Sequence, residues 1–320
     1  MTHPYAIQRW DADAAADAAS HWDDNDRAAL VALMRLKPKN AEWADLTERV
    51  RDRGSASALW SDDHPRDLFG GGEGDDALLE QAVRDVAEWK HAPFDFHTFM
   101  DPSYPDQLRS VRQMPPVVFT NGKLIEADTG VCVVGSRKVT DAGIRFARAV
   151  THNLVAESIS VIAGLAEGVD TVAHETALEA GGRTVAVLGN GLNKVYPQSN
   201  RILQTEIGAR GMLLTHFLPE YAPTRWSFPA RNATMSAYAA ATIIVEAGER
   251  SGTRIQAREA VAHGRPVVLN SSVVLSTTWG RELLHAPGVY VAASADEAIA
   301  HIRTILGHRA KITDWLDTNG

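Results

Sequence analysis

The fold is decided by residues 130–189, which read GVCVVGSRKVTDAGIRFARAVTHNLVAESISVIAGLAEGVDTVAHETALEAGGRTVAVLG. Three short apolar, β-branched runs each lead into a glycine turn, and a helical stretch separates each run from the next. Further runs of this kind follow at MLLT, ATIIVEA, PVVLN and GVYVA. Alternation of strands and helices predicts right-handed βαβ units. We therefore expect an α/β fold, a doubly wound Rossmann-like parallel sheet with a small N-terminal helical domain.

Composition divides the chain into four predicted segments. Residues 1–92 are rich in Ala, Leu and Asp and predict an acidic helical domain. Residues 93–129 carry five prolines and scattered aromatics, which indicate a connector packed on the core. The Rossmann-like domain is predicted over 130–306, and residues 307–320 form a C-terminal tail.

Charge is unevenly distributed in this chain, whose net charge is −8. Residues 1–90 contain 11 Lys and Arg against 19 Asp and Glu, whereas the remainder contains 21 of each. Any phosphate binding must therefore come from a local basic cluster rather than from a global excess of positive charge.

Cysteine usage and hydropathy narrow the class of protein. The single cysteine, Cys132, lies in an apolar run and excludes an intrachain disulfide or a cysteine-based zinc site. No apolar run approaches the roughly 20 residues of a membrane span, and the N-terminus lacks the order of a signal peptide. We expect a cytoplasmic protein that needs neither metal nor cofactor.

Glycine-rich turns follow the predicted strands. In a parallel sheet, ligands bind beyond the carboxyl ends of the strands, where helix N-termini direct free N–H groups outward. The turn Gly135-Ser136-Arg137-Lys138 offers a close backbone approach, a hydroxyl and two cations, which suits a phosphate. A tight βα turn with solvated charges is the alternative interpretation.

The turn after the second strand contains Gly164 and Gly168 and opens another helix. Asp170 is typical of a helix N-cap. His174 lies about one turn into that helix, where a buried, hydrogen-bonded histidine is favoured over a general base. No serine, cysteine or carboxylate is spaced to form a recognisable triad with it, so the sequence predicts no catalytic residue.

The order of these motifs resembles the DNA-processing protein A (DprA/Smf) family. Seven ordered blocks between about 98 and 300 carry the resemblance, namely DPSYPDQLR, PPVVFTNGKL, VVGSRKVTDAGIRFA, AGLAEGVDTVAHETALEAGGRTVAVLGNGLNKVYPQSN, FPARN, IIVEAGERSGT and the closing helix. The resemblance implies a single-stranded DNA-binding protein, not an enzyme, that assists loading of a RecA-type recombinase during natural transformation. It also implies a homodimer.

The same resemblance implies which residues line the groove for phosphate or single-stranded DNA, with Arg137 and Arg231 as the leading cations. The set is Gly135, Ser136, Arg137, Lys138, Gly164, Gly168, Asn190, Lys194, Arg231, Asn232, Ser251, Gly252 and Thr253. The chain is a divergent member, since Ala233 replaces a usual arginine and Glu167 stands where many members have a basic residue. We expect a weaker or more selective phosphate binder.

Three functions compete at this stage. In the first, DNA phosphates lie along Arg137, Lys138, Lys194 and Arg231, and Trp226 or Phe228 either stacks on bases or belongs to the core. In the second, the same pocket serves a nucleotide sensor or a nucleotide-processing enzyme, with acid–base candidates Glu167, Asp170 and Glu246. In the third, the acidic N-terminal domain acts as an adaptor or as a lid that competes with DNA.

Overall fold

The computed structural model describes residues 22–36, 42–65 and 73–319. Two compact units divide the chain, Met1–Thr120 and Asn121–Gly320. The predicted acidic domain includes residues 1–21, 37–41 and 66–72, which lie outside the described residues, as does residue 320 of the predicted tail. The four-segment division stays a prediction.

Helices dominate the described residues of the first unit up to residue 89, and an antiparallel pair of strands follows. Its helices are α1 (Asp24–Leu36), α2 (Trp43–Arg53), α3 (Ala56–Asp63), α4 (Glu73–Trp89) and α5 (Asp106–Arg109), and its strands are β1 (Asp95–Thr98) and β2 (Val117–Gly122). The two strands pair antiparallel, with Phe96 opposite Phe119. Arg27 of α1 donates to the buried carboxylate of Asp101 at 2.5 Å, which ties the helices to the segment between the strands.

The second unit alternates strands and helices, as the sequence predicts. In chain order its elements are β3 (Gly130–Val134), α6 (Asp141–Ala156), β4 (Ser160–Ala163), α7 (Val169–Glu179), β5 (Thr184–Val187), α8 (Arg201–Arg210), β6 (Met212–Thr215), α9 (Ser227–Tyr238), β7 (Ala241–Ile244), α10 (Thr253–Ala262), β8 (Val267–Asn270), α11 (Ser271–Ser276), α12 (Thr278–Leu283), β9 (Val289–Ala292) and α13 (Ala295–Asn319).

The strands of this unit form a parallel sheet in the order β6-β5-β4-β3-β7-β8-β9. Val131 of β3 pairs with Val161 on one side and with Ala241 on the other. The chain therefore winds outward in one direction from β3 to β6 and in the other direction from β7 to β9. This order confirms the doubly wound α/β fold, and the switch between the two halves lies at β3 and β7.

The strand residues are apolar without alternation because helices cover both faces of a parallel sheet. Every residue of β3, β4, β5 and β7 is buried. One core cluster joins β3, β4 and β7 to helices α6, α7 and α13. Among the described residues, no helix combines the length and the apolar character that a membrane span requires.

Candidate functional site

A cavity of about 90 Å³ lies at the carboxyl ends of β3, β4 and β5. Its lining residues come from the turns that follow these three strands and from the first turns of α9. The lining residues are Arg137, Gly164, Leu165, Ala166, Glu167, Gly189, Asn190, Tyr196, Pro197, Phe228 and Arg231. Four of the residues predicted for the groove thus meet in one cavity: Arg137, Gly164, Asn190 and Arg231.

The turn after β3 carries the exposed cations. Ser136 shapes it, because its hydroxyl donates to the carbonyl of Lys138 at 2.8 Å and accepts from the amide of the same residue at 3.1 Å. Arg137 is exposed, and its guanidinium lies over the ring of Phe228, 5.4 Å from the ring centroid. Lys138 is also exposed but does not line the cavity. Arg137 is therefore the cation best placed to meet an anionic ligand.

Arg231 is a buried arginine, with only 5% of its surface exposed. Its Nη1 donates to the carbonyl oxygens of Gly164 and of Val187, the latter at 2.9 Å, and its Nε donates to Oδ1 of Asn232 at 3.0 Å. The side chain joins the ends of β4 and β5 to α9. Arg231 thus lines the cavity while most of its donors serve the protein itself.

Asp170 faces Arg231 from the start of α7. Its Oδ2 accepts from the amide of Gly164 at 2.9 Å and more weakly from that of Ala166 at 3.4 Å. Burial raises the pKa of this carboxyl, and the nearby Arg231 charge opposes that rise. The sequence predicts Asp170 as an N-cap, but the N-cap of α7 is Gly168. Asp170 instead closes the turn that precedes the helix.

The glycines of this turn are required by close packing. A Cβ at Gly164 would overlap the guanidinium of Arg231. Gly168 has φ of +82°, and a Cβ there would overlap the carbonyl oxygen of Ser136 in the neighbouring turn. The absence of a side chain at Gly164 therefore makes room for Arg231, and its absence at Gly168 lets the turns after β3 and β4 contact each other directly.

The turn after β5 holds the predicted residues Asn190 and Lys194. The Asn190 amide is buried and donates to the carbonyls of Gly191 and Lys194, both at 3.0 Å. Lys194 directs its ammonium away from the cavity lining, to the carboxylate of Glu220 at 2.5 Å. The second oxygen of Glu220 accepts from Asn193 at 2.6 Å. The structure thus pairs one predicted phosphate cation with an acid that sequence reasoning missed.

Two aromatic side chains, Tyr196 and Phe228, line the cavity, and Trp226 lies two residues before Phe228 in the sequence. Tyr196 and Phe228 lie 5.3 Å apart between ring centroids in a tilted arrangement. Trp226 is 69% exposed, and Arg225 lies over its ring at 4.4 Å. The sequence leaves open whether Trp226 and Phe228 stack on a ligand or pack in the core. The structure leaves Trp226 outside the core and Phe228 half-buried at the cavity wall.

The turn before α10 does not reach this cavity. Ser251 donates to the hydroxyl of Thr253 at 2.8 Å, and Thr253 donates to the carbonyl of Gly135 at 3.2 Å. Of the predicted residues Ser251, Gly252 and Thr253, Thr253 therefore supports the turn after β3 directly, and Ser251 supports it through Thr253. Gly135 itself, like Gly168 and Asn232, supports the cavity without lining it.

The acid–base candidates are engaged in structural contacts. Glu246 accepts from the amide of Thr140 at 3.2 Å and from its hydroxyl at 2.6 Å, at the start of α6. His174 is buried with its Nδ1 2.7 Å from the hydroxyl of Thr184. Burial, and then the charge of Arg231, lower the pKa of His174 to about 3. His174 is thus the buried, hydrogen-bonded histidine that the sequence predicts.

The chain is similar to known proteins over most of its length. The family model described as DNA recombination-mediator protein A matches residues 95–303. Protein Smf of Synechocystis sp. is 36% identical over 217 residues, which are 66% of this chain and 54% of that protein. DNA processing protein DprA of Streptococcus pneumoniae is 33% identical over 209 residues, which are 65% of this chain and 74% of that protein. The chain thus spans about half the length of the Synechocystis relative.

Solved structures share the fold. DprA from Streptococcus pneumoniae superposes with a TM-score of 0.65 at 26% identity, covering 87% of this chain and 95% of that chain. DprA from Helicobacter pylori, whose structure concerns a single-stranded DNA binding mode, superposes with a TM-score of 0.59 at 22% identity. That superposition covers 67% of this chain and 97% of the other.

Proposed function

Because the chain belongs to the DNA recombination-mediator protein A family, we propose that it binds single-stranded DNA and assists recombinase loading or DNA handling. One observation carries the proposal: the carboxyl ends of three parallel strands form a cavity with an exposed arginine, Arg137, beside a half-exposed aromatic pair. Cations and stacking surfaces side by side are the combination that single-stranded DNA requires. The single-stranded DNA binding described for the Helicobacter pylori relative supports it.

A substitution of Arg137 tests this proposal. Replacing Arg137 with alanine should weaken binding of a single-stranded oligonucleotide and lower the slope of log affinity against log salt concentration by about 0.7, the value for one phosphate contact on a single strand. Arg303→Ala is the matched control, because Arg303 pairs with Glu157 at the far end of α6. Affinity that does not respond to salt, or an Arg137→Ala protein that binds like the wild type, contradicts the proposal.

The protein is proposed to act as a binder rather than as an enzyme. Each carboxylate that could serve as acid or base already accepts a hydrogen bond within the chain: Glu167 from Ser199, Asp170 from Gly164 and Glu246 from Thr140. Incubation with nucleoside monophosphates should release no base. Saturable mononucleotide binding without oligonucleotide binding would instead favour the nucleotide sensor.

The proposed partners follow from the family. A RecA-type recombinase is the expected protein partner, with a second copy of this chain forming a homodimer, in the cytoplasm and in the context of natural transformation. Light scattering coupled to gel filtration measures the mass of the free protein. Recombinase filament formation on DNA coated with a single-strand-binding protein, with and without this chain, measures loading. A monomeric mass, or loading unchanged by the protein, counts against the respective partner.

A further inference from the structure

Glu246 joins the end of β7 to the start of α6. The amide of the preceding residue, Val245, donates to the carbonyl of Val134 at 3.0 Å, so the ends of β7 and β3 lie side by side. The Glu246 carboxylate accepts from the hydroxyl of Thr140 at 2.6 Å and from its amide at 3.2 Å. Thr140 is the N-cap of α6. A side chain from one strand end thus binds the helix that follows the neighbouring strand.

The N-terminus of α6 has room for this carboxylate because its first turn contains a glycine. Gly143 is buried, and a Cβ there would lie 2.5 Å from Oε2 of Glu246. The amide of Gly143 donates to the hydroxyl of Thr140 at 3.2 Å, and that hydroxyl donates in turn to Glu246. Amide groups and the positive end of the helix dipole favour an anion at this position. Glu246 supplies that anion from within the chain.

The turn that carries the exposed cations contacts Glu246 at both of its ends. At its beginning, a Cβ on Gly135 would lie 2.9 Å from the carbonyl oxygen of Glu246, so the two backbones are in contact. At its end, the Glu246 carboxylate binds Thr140. Arg137 and Lys138 lie between these contacts and are exposed. Within the described residues, Glu246 therefore binds the backbone of the turn and forms no ion pair with its cations.

We propose that Glu246 is a positioning residue for DNA binding: it occupies the N-terminus of α6, fixes the turn 135–140 there, and so determines where Arg137 and Lys138 meet DNA phosphates. This inference rests on the proposed single-stranded DNA binding. The acid then increases the affinity for a polyanion although its own charge repels that polyanion. An acid that only repels would have the opposite effect, because its removal would raise the affinity.

Glu246→Ala tests the direction of this effect. We expect its affinity for a single-stranded oligonucleotide to fall about fivefold, as the loss of one polar contact produces. Asp141→Asn is the matched control, because it removes the same charge from an exposed position in the first turn of α6. Its affinity should stay unchanged or rise by up to about twofold. A Glu246→Ala protein that binds as tightly as the wild type, or more tightly, overturns the inference.

Formate distinguishes positioning from a general loss of structure. This small carboxylate fits the space that Glu246→Ala leaves beside Gly143, so sodium formate should restore part of the lost affinity, compared with sodium chloride at equal ionic strength. It should not raise the affinity of the wild type, in which Glu246 fills the same space. A loss that formate does not reverse overturns the inference.

Substitutions of Thr140 provide the same test if Glu246→Ala does not fold. Thr140→Val lacks the hydroxyl that donates to Glu246 and should lose affinity, whereas Thr140→Ser retains that donor and should bind like the wild type. Equal affinities of the valine and serine variants overturn the inference.

The backbone amide chemical shifts of Arg137 and Lys138 report on the turn without DNA. They should change in Glu246→Ala, move back toward the wild-type values on addition of formate, and change less in Asp141→Asn. Shifts that Glu246→Ala leaves unchanged overturn the inference even where DNA binds. If the wild-type protein binds no oligonucleotide, the proposed function fails, and these shifts still show whether Glu246 positions the turn.

Discussion

Arg231 is a basic residue at the strand ends whose hydrogen bonds stabilise the fold. Its guanidinium bridges the carbonyls that end β4 and β5, and the buried Asp170 balances its charge. Burial lowers the pKa of Arg231, and Asp170 opposes this effect. The residue therefore behaves as part of the scaffold that holds the cavity open.

Replacing Arg231 with alanine should lower the free energy of unfolding by about 3 kcal/mol, because Asp170 and two strand-end carbonyls lose their partner. Arg231→Lys should recover little of that loss, since one ammonium cannot reproduce the planar fork. Urea denaturation measures both variants. Arg137→Ala is the comparison, and it should change stability by less than about 0.5 kcal/mol. An Arg231→Ala protein as stable as the wild type would show that the bridge is dispensable.

Glu220 should limit the contribution of Lys194 to DNA binding. The Lys194 ammonium and the Asn193 amide hold the pKa of the Glu220 carboxyl below its ordinary value, so the acid stays charged near neutral pH. We expect Lys194→Ala to change affinity little, and Glu220→Gln to raise affinity about threefold by freeing one cation for phosphate.

Glu206→Gln is the control for the change in net charge. It also removes one negative charge and breaks an ion pair, the Glu206–Arg210 pair on α8. The gain from Glu220→Gln should vanish when Lys194 is already alanine. Equal gains with and without Lys194 would mean that only the net charge matters. Fluorescence anisotropy at one fixed salt concentration measures the affinity of the wild type and of these four variants.

At the scale of the elements, the turns after β3 and β4 form one packed unit. The amide of Val169 donates to the carbonyl of Ser136 at 3.1 Å, and Gly168 fits against the same carbonyl. Thr253 supports the turn after β3 from the opposite side. Contacts among the turns that follow three strands, β3, β4 and β7, thus fix the position of the turn that carries Arg137.

Gly168→Ala should destabilise the protein more than an alanine substitution at another glycine that also has a positive φ. Gly168 and Gly181 both have positive φ, but an added methyl group would collide with backbone atoms at Gly168 and would meet open space at Gly181. We expect a loss of about 3 kcal/mol and weaker DNA binding for Gly168→Ala, against about 1 kcal/mol and unchanged binding for Gly181→Ala. Equal losses in urea denaturation would refute the packing argument.

At the scale of the whole molecule, buried histidines in the second unit make the stability of the protein depend on pH. Burial lowers the pKa of His216 to about 4 and, together with the charge of Arg265, that of His263 to about 4. These pKa values are lower in the folded protein than in the unfolded chain. Below pH 6.5 the unfolded chain therefore binds protons that the folded protein does not bind. Stability contributed by these neutral histidines is complete above pH 6.5 and is lost as the pH falls toward 4.

We expect the free energy of unfolding to fall between pH 6.5 and pH 5, by at most about 2 kcal/mol for each such histidine. His216→Gln should make this dependence shallower, whatever its effect on stability at pH 7.5. His152→Gln replaces an exposed histidine and should retain the wild-type slope. An unchanged slope in His216→Gln would exclude His216 as a source of the dependence.

Local sequence patterns were sufficient to predict the parallel α/β fold and the edge of the sheet at which the cavity lies. Apolar runs that end in glycine turns specify buried strands and their carboxyl ends without reference to distant residues. Arg137, Gly164 and Asn190 follow those strands directly, so their placement at one edge was also predictable.

Only the tertiary structure decided which of these residues line the cavity. Lys194 meets Glu220, 26 residues away, and Arg231 spans to Gly164, 67 residues away. Such pairings depend on how turns from different strands approach each other, and no spacing in the sequence encodes them. The same packing places Glu167 and Arg137 in one cavity, so that an acid and a cation line a site that the sequence predicts as a phosphate groove.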